Sequence, residues 1–358
     1  MTKRASVAAI LLVSAVAAAC SASAQEPKQL PPANVHAAGL SGFGGMEGLV
    51  AAARKEGALT VIGLPHTWVN YGHIIERFSE EYGIKVTELR PDANSQQQVA
   101  AAATKTPPDV FDLNLDVAVA NAEKFAPYKV AGWQDIPDDL KEGGGLWYAA
   151  YGGYMSIGYD PRKMAAPASY AALNKQGVTV ALPGDPLRTA SAFSGVMATS
   201  LRKGKTNPAR GVDFFAGIKK SGALAAPDQA TAVVDWDYLN LARSAATTQN
   251  GKPTWLVTIP HDAVLASYYV QAINKKAPHP AAARLWQEFL LSDDGQNLYL
   301  RGYARPVRME AMEMRKTLDR DAAGKLPKAV GTPVILTIPE QDAAKTYLQK
   351  HWARQIGS

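Results

Sequence analysis

The chain has 358 residues, 47% apolar and 20% charged, which is the composition of a folded globular protein long enough for two domains with sizeable cores. Its formal charge is +6, two of those charges being Lys3 and Arg4, and Lys and Arg are interspersed with acids, which argues against a nucleic-acid partner. The single cysteine, Cys20, excludes an internal disulfide, so stability must come from the core.

Lys3-Arg4 precedes an uninterrupted small and apolar run from Ala5 to Ala19, and Ala22-Ser23-Ala24 before Gln25 has the small-x-small form of a leader cleavage site. This predicts a signal peptide over 1–24 and a periplasmic mature chain, the apolar run being short for a membrane span. Cys20 follows Ala17-Ala18-Ala19, which is similar to a lipoprotein box but lacks its large aliphatic residue; lipid anchoring at Cys20 is the alternative. Residues 25–45, rich in Pro, Ala and Gly, read as a flexible tether.

From Met46 the pattern alternates. A helix over Met46 to Glu56 closes at Gly57, and Ala58 to Leu64 reads as a strand. Tyr71, Ile74, Ile75, Phe78 and Tyr82 fall on one helical face that ends at Gly83. A strand from Ile84 to Leu89, a helix from Ser95 to Thr104 and a strand from Asp109 to Leu113 follow. This rhythm predicts crossover connections and a parallel sheet covered on both faces. The aromatic stretch Trp147 to Tyr159, broken by Gly152-Gly153, suits a crossing into a second domain.

That second domain is predicted from a strand at Val178 to Leu182, helices near Thr189 to Lys203 and Ala209 to Lys220, and a strand at Ala232 to Asp235. Extended segments at Thr254 to Ile259 and Ala263 to Ile273, around Pro260-His261-Asp262, read as the return crossing. The expected organisation is lobe 1 over 46–150 plus 262–310, lobe 2 over 151–261, and a helical segment over 311–358 packing on a lobe through Ala344, Tyr347, Leu348 and Trp352.

The most specific stretch runs from Ile273 to Val307. Asn274-Lys275-Lys276-Ala277-Pro278-His279-Pro280 starts a helix whose Ala282, Leu285, Trp286, Phe289 and Leu290 form an apolar stripe. Ser292 caps the next helix, with Asp293 and Asp294 well placed against its dipole, and Gly295-Gln296 and Gly302 to Val307 complete the unit. This order, with Glu56-Gly57, Trp68-x-x-Tyr71 and Tyr82 to Val86, resembles the bacterial extracellular solute-binding proteins of the polyamine, ferric-iron and thiamine type. The resemblance covers most of 46–310. It implies a two-lobed α/β fold, that of type II periplasmic binding proteins, with two interdomain crossings and a ligand cleft that closes on a small solute. It also implies delivery to the membrane permease subunits of an ABC-type importer.

Candidate ligand contacts follow the strands. Trp68 lies just after the first strand, where a tryptophan lines the pocket in polyamine-like relatives; Tyr71 matches the family's aromatic but also sits on its helix's apolar stripe. Asp235, Trp236 and Asp237 follow a later strand, and a carboxylate beside aromatic faces is the recipe for holding an amine, although Asp237 could equally cap the next helix. Tyr268 and Tyr269 are adjacent on a strand, so at most one is expected to face the cleft unless the strand ends there. Arg188, Thr189 and Ser191 precede a helix and suit an anion, with ordinary capping as the alternative. A solute with both an amine and an anionic group would satisfy both lobes.

The chain has no nucleophile elbow, no phosphate-cradling Gly-rich Lys loop and no paired-histidine helix motif, and its 6 histidines are dispersed. The expectation is therefore a monomeric, non-enzymatic receptor without cofactor or resident metal, taking an amine-bearing solute such as a polyamine or aminophosphonate. Ferric iron or a small organic anion is the alternative within the class; an exported hydrolase or sensor partner is the alternative outside it.

Overall fold

The computed structural model describes residues 34–261 and 263–357. The leader, Cys20, the first part of the tether and Asp262 lie outside them.

The elements in chain order are α1 (Met46–Glu56), β1 (Ala58–Ile62), α2 (Tyr71–Tyr82), β2 (Lys85–Leu89), α3 (Ser95–Ala101), β3 (Val110–Asn114), α4 (Leu115–Ala120), β4 (Phe125–Ala126) and β5 (Tyr148–Tyr159). Then come β6 (Val180–Ala181), α5 (Ala190–Ser200), α6 (Pro208–Lys220), β7 (Ala232–Trp236), α7 (Asp237–Ala246), the short pair β8 (Thr248–Gln249) and β9 (Lys252–Pro253), β10 (Leu256–Thr258) and β11 (Leu265–Asn274). The chain ends with α8 (Pro280–Leu290), α9 (Asp293–Arg301), β12 (Arg305–Pro306), α10 (Met309–Arg315), α11 (Arg320–Ala323), β13 (Val334–Ile335) and α12 (Ile338–Gln355).

Local chemistry accounts for the boundaries. The apolar face of α2 buries Tyr71, Ile74, Ile75 and Phe78, and Gly83 stops the helix in the left-handed region at φ 67°, where a Cβ would be strained. Asn94 and Gln97 form a reciprocal capping box on α3. Ser292 caps α9 by accepting from the Gly295 amide.

The largest sheet is mixed, not the parallel one that the strand–helix rhythm predicts, and β1 with β2 and β8 with β9 form separate two-stranded sheets. β1 and β2 pair in parallel, as do β6 and β7. The two longest strands, β5 and β11, instead run antiparallel to each other, and β5 pairs antiparallel with β7 and β10. Helical crossovers still favour parallel pairing within each half, whereas a chain that enters one half and returns from it must run both ways. The outer part of β5, Met155 to Tyr159, pairs with β7, while its first part pairs with β11, which also carries β3 and β4. β5 therefore belongs to both halves, and β11 is the strand by which the chain returns beside it.

Gly152-Gly153 does not break β5. A Cβ at Gly152 would lie 2.6 Å from both the Ser267 carbonyl and the Tyr268 ring, and one at Gly153 would lie 2.6 Å from the Tyr238 ring. The glycines let aromatic rings cross the strand.

The later part of the predicted tether is packed. Phe43 is buried, the Lys129 amide donates to the Ala38 carbonyl, and Arg284 Nε donates to the Ala37 carbonyl at 2.7 Å. The C-terminal segment divides between the halves. α10 and the start of α11 are tied to the first half by Arg315 with Asp135 and Arg301 with Asp319, whereas α12 packs Trp352 against Phe215 of α6. No helix among the described residues is long and apolar enough to cross a membrane.

Candidate functional site

A cleft of about 870 Å³ opens where the carboxyl ends of β1, β3 and β7 meet the start of α5. This is where open α/β sheets place their ligands. Its first-half wall includes Trp68 and the loop before α3, together with Asp112 and Asn114 of β3 and Asp116 of α4. Its second-half wall is made by Pro186 to Ala190, by Phe193 and Ser194 of α5, and by Trp236. The back is the crossing segment Leu265 to Tyr269, and Gln341 and Lys345 of α12 close one side.

The first-half wall is held by a connected polar chain. Trp68 Nε1 donates to Tyr151 Oη at 2.8 Å, and Tyr151 Oη donates to Asp112 Oδ2 at 2.8 Å. Gln271 Nε2 donates to Asp112 Oδ1 at 2.6 Å and to Tyr71 Oη at 3.4 Å. The Asp112 amide is in turn bound by Gln98 of α3. Burial raises the Asp112 carboxyl to about 7, against the hydrogen bonds that favour its charge. Around it, the Trp68 ring meets Tyr238 and Tyr269 edge-on at 5.5 and 5.6 Å, and Tyr269 stacks on Tyr151 at 5.4 Å. The result is an aromatic corner with one carboxyl at its base.

The predicted residues divide. Trp68, Arg188, Thr189, Trp236, Tyr268 and Tyr269 all border the cleft. Both tyrosines do so because β11 runs along the back wall there. Tyr269 lies against Trp68, while the Tyr268 ring packs over Gly152 on the other side, and the register of β11 on β5 shifts just after Tyr269. Arg188 is 86% exposed, with only a long 3.9 Å approach to Asp185, and Thr189 makes no side-chain cap on α5. The Trp236 indole N–H is buried and has no hydrogen-bond partner, while its ring stacks on Tyr238.

Tyr71, Ser191, Asp235 and Asp237 do not line the cleft. Tyr71 is fully buried, with its hydroxyl 3.1 Å from that of Tyr299, so its place on the apolar stripe decides the matter. Ser191 is buried beside the Asp235 carboxyl, and burial pushes Asp235 up to about 7 while the Trp236 amide and Ser191 oppose the shift. Asp237 Oδ1 accepts from the Tyr154 and Tyr238 amides at 3.0 Å, and Oδ2 pairs with Arg305 at 3.1 Å. Burial raises its carboxyl and Arg305 pulls it back. The amine recipe read at Asp235 and Asp237 thus belongs to the core, because successive side chains of β7 alternate and only Trp236 faces the cleft.

Asp112, Asp116, Gln341 and Lys345 were not among the predicted contacts. The first two could have been found at the carboxyl end of β3; nothing local marks the others. Among the described residues, no group of three or more His, Cys, Asp or Glu side chains is placed to hold a metal ion.

Two halves joined by two long crossing strands, with a cleft between them, define a type II periplasmic binding protein. The chain belongs to the bacterial extracellular solute-binding proteins, whose family model matches residues 108–329. That family consists of receptors that bind small solutes outside the cytoplasmic membrane and serve ABC importers. No curated protein matches the sequence. Several solved structures do share the fold. AgtB from A. tumefaciens R10, in complex with agropinic acid, has a TM-score of 0.64 at 16% identity, covering 82% of this chain and 98% of that one. Iron-bound HitA from Pseudomonas aeruginosa has a TM-score of 0.61 at 18% identity, covering 84% and 99%. AfuA from Actinobacillus pleuropneumoniae, with fructose-6-phosphate bound, has a TM-score of 0.60 at 15% identity, covering 84% and 98%. At these identities the likeness establishes the fold alone.

Proposed function

We propose that this receptor captures a small amine-bearing solute in the cleft and hands it to the membrane permease of an ABC importer, performing no chemistry. The observation that carries the reading is Asp112. It is a carboxyl at the base of an aromatic corner, held by Tyr151 and Gln271 and facing the cleft beside Trp68 and Tyr269. An ammonium group there gains charge pairing with Asp112 and cation–π attraction from the rings, the latter worth about 0.5–2 kcal/mol. The amine expected from the sequence is kept, and its acidic partner moves from Asp235 and Asp237 to Asp112.

Ferric iron is the weaker reading. Burial and the carboxylates of Asp112, Asp235 and Asp116 push the Tyr269 phenol upward, away from the phenolate a metal would use. The solved neighbours hold agropinic acid, iron and fructose-6-phosphate, so the fold accommodates several ligand chemistries.

A thermal-shift screen against polyamines, aminophosphonates, amino acids, organic acids and ferric salts tests the proposal. Binding at a hundred times the dissociation constant adds about 2.7 kcal/mol, a rise of a few degrees in a chain of this size. A hit confined to amines whose shift shrinks clearly in Asp112→Asn is expected. A shift unaltered by that change, or a hit confined to iron or dianions, would remove the amine reading.

A further inference from the structure

The cleft contains an ion pair that no local sequence pattern suggests. Asp116 stands near the start of α4, and Lys345 lies in the second turn of α12, separated by 229 residues. α4 continues directly from β3, in the first half. α12 is fixed to the second half by Trp352 on Phe215 and by Lys219, whose ammonium donates to the Ile356 carbonyl. Lys345 Nζ binds Asp116 Oδ2, so the pair links the two halves, and both residues line the cleft. Lys345 also lies 5.6 Å from the ring centroid of Phe193, in the first turn of α5.

The pair is accessible: its side chains are 39% and 15% exposed. Exposed pairs of this kind hold little net energy, so exchanging their partners is cheap as long as neither charge is left unpaired. Leaving one unpaired in a cleft from which a solute excludes water is costly. Beside the pair, a dication would take Asp112 and Asp116 but meet Lys345, and a dianion would take Lys345, with exposed Arg188 further along the wall, but meet both carboxylates. Trp236 borders the cleft, and its buried indole N–H has no hydrogen-bond partner, so an anionic group that reached it would satisfy a donor that a diamine would leave unpaired.

We propose that the cleft selects a zwitterionic solute. Its anionic group takes Lys345 and the Trp236 indole N–H, and its ammonium takes Asp116 together with Asp112. The Lys345–Asp116 pair is thereby exchanged for two solute contacts, and the cleft's charge stays balanced. This inference rests on the cleft being the solute site and narrows the amine reading to amines that also carry an anion. It makes Lys345, on the C-terminal helix, a residue that sets specificity.

The test uses γ-aminobutyrate, putrescine and succinate, which have the same carbon count and differ in charge, titrated calorimetrically into the purified protein. The variants are Lys345→Gln, Asp116→Asn and the swap Lys345→Asp with Asp116→Lys. The expected result is a preference of about tenfold or more for γ-aminobutyrate over both others. That preference disappears in Lys345→Gln without loss of putrescine affinity, and it returns at least in part in the swap. A putrescine preference in the unaltered protein overturns the zwitterion inference and leaves the amine reading standing. A succinate preference overturns both. Equal weakening of all three solutes by Lys345→Gln, or no effect of it, assigns the pair a structural role and overturns the inference. Absence of binding by all three overturns it as well, while the amine reading then stands or falls on the wider screen.

Discussion

The ends of β3 and β7 make an instructive pair. Each is a buried strand with an aspartate at or past its midpoint, and each such carboxyl is raised to about 7 by burial. At β3, Asp112 faces the cleft and is held from behind by Tyr151 and Gln271. At β7, Asp235 and Asp237 turn inward, one to Ser191 and the other to Arg305, and the intervening Trp236 takes the cleft side. An acidic residue after a strand therefore marks the neighbourhood of a site, and the strand's alternation decides whether it reaches the site.

The largest effect that separates the two ends concerns Asp237. Its pairing with Arg305 is fully buried on the acid side, so Asp237→Ala strands an arginine and should destabilise the fold by about 3–5 kcal/mol. Urea unfolding measures this. The folded fraction should bind solute as before, because Asp237 does not touch the cleft; a loss of affinity in that fraction would return Asp237 to the site.

The next effect is on pH dependence. Asp112 and Asp235 both have folded-state values near 7 against an ordinary 3.8, so each binds its proton more tightly in the folded state. The stability they confer is fully present below about pH 4 and is lost as pH rises to about 7, at no more than about 1.4 kcal/mol per pH unit for each. Asp235→Asn should flatten part of that slope without changing solute affinity. Asp112→Asn should flatten a similar part and weaken amine binding roughly tenfold to a hundredfold. If the two substitutions behaved alike toward solute, the contrast between the strand ends would collapse.

Much of the frame was legible in the sequence. The face of α2, the cap on α9 and the long strands β5 and β11 follow from periodicity, a serine before two aspartates, and extended aromatic stretches. Trp68, Arg188, Thr189, Trp236, Tyr268 and Tyr269 were placed at the cleft by their position after strands or on the return crossing. What failed to show were properties of three-dimensional pairing. The mixed sheet depends on β5 serving both halves, and Asp237 turns inward to meet Arg305, 68 residues away in sequence. The packed segment before α1 shows only through contacts such as Arg284 with the Ala37 carbonyl. Lys345 was read merely as part of a packing helix, because nothing near it in sequence indicates that the first turns of α12 border a cleft built by residues far upstream.

A smaller effect sharpens the β3 side. Trp68→Phe keeps an aromatic face beside Tyr269 but removes the donor to Tyr151, and with it one end of the chain that leads to Asp112. Solute affinity should fall less than in Asp112→Asn, by several-fold to about tenfold, from the weaker cation–π face and the loss of one neutral hydrogen bond. The thermal midpoint without solute should change little, since Trp68 is only partly buried. An affinity loss equal to that of Asp112→Asn would mean that Trp68 positions the carboxylate and does not merely cover the amine.

The smallest expected effect sets one ion pair against the other. Arg305–Asp237 is fully buried on the acid side and mostly buried on the arginine side, whereas Lys345–Asp116 is partly open to water. Lys345→Gln should therefore alter the stability of the solute-free protein by less than about 1 kcal/mol, a change that added salt would further reduce. The comparison is made by urea unfolding of Lys345→Gln and Asp237→Ala in the same buffer. Similar losses in the two variants would show that the Lys345 pair holds the halves together as a structural tie. A several-fold smaller loss at Lys345, beside a changed preference among charged solutes, would separate a pair kept for the fold from one kept for the ligand.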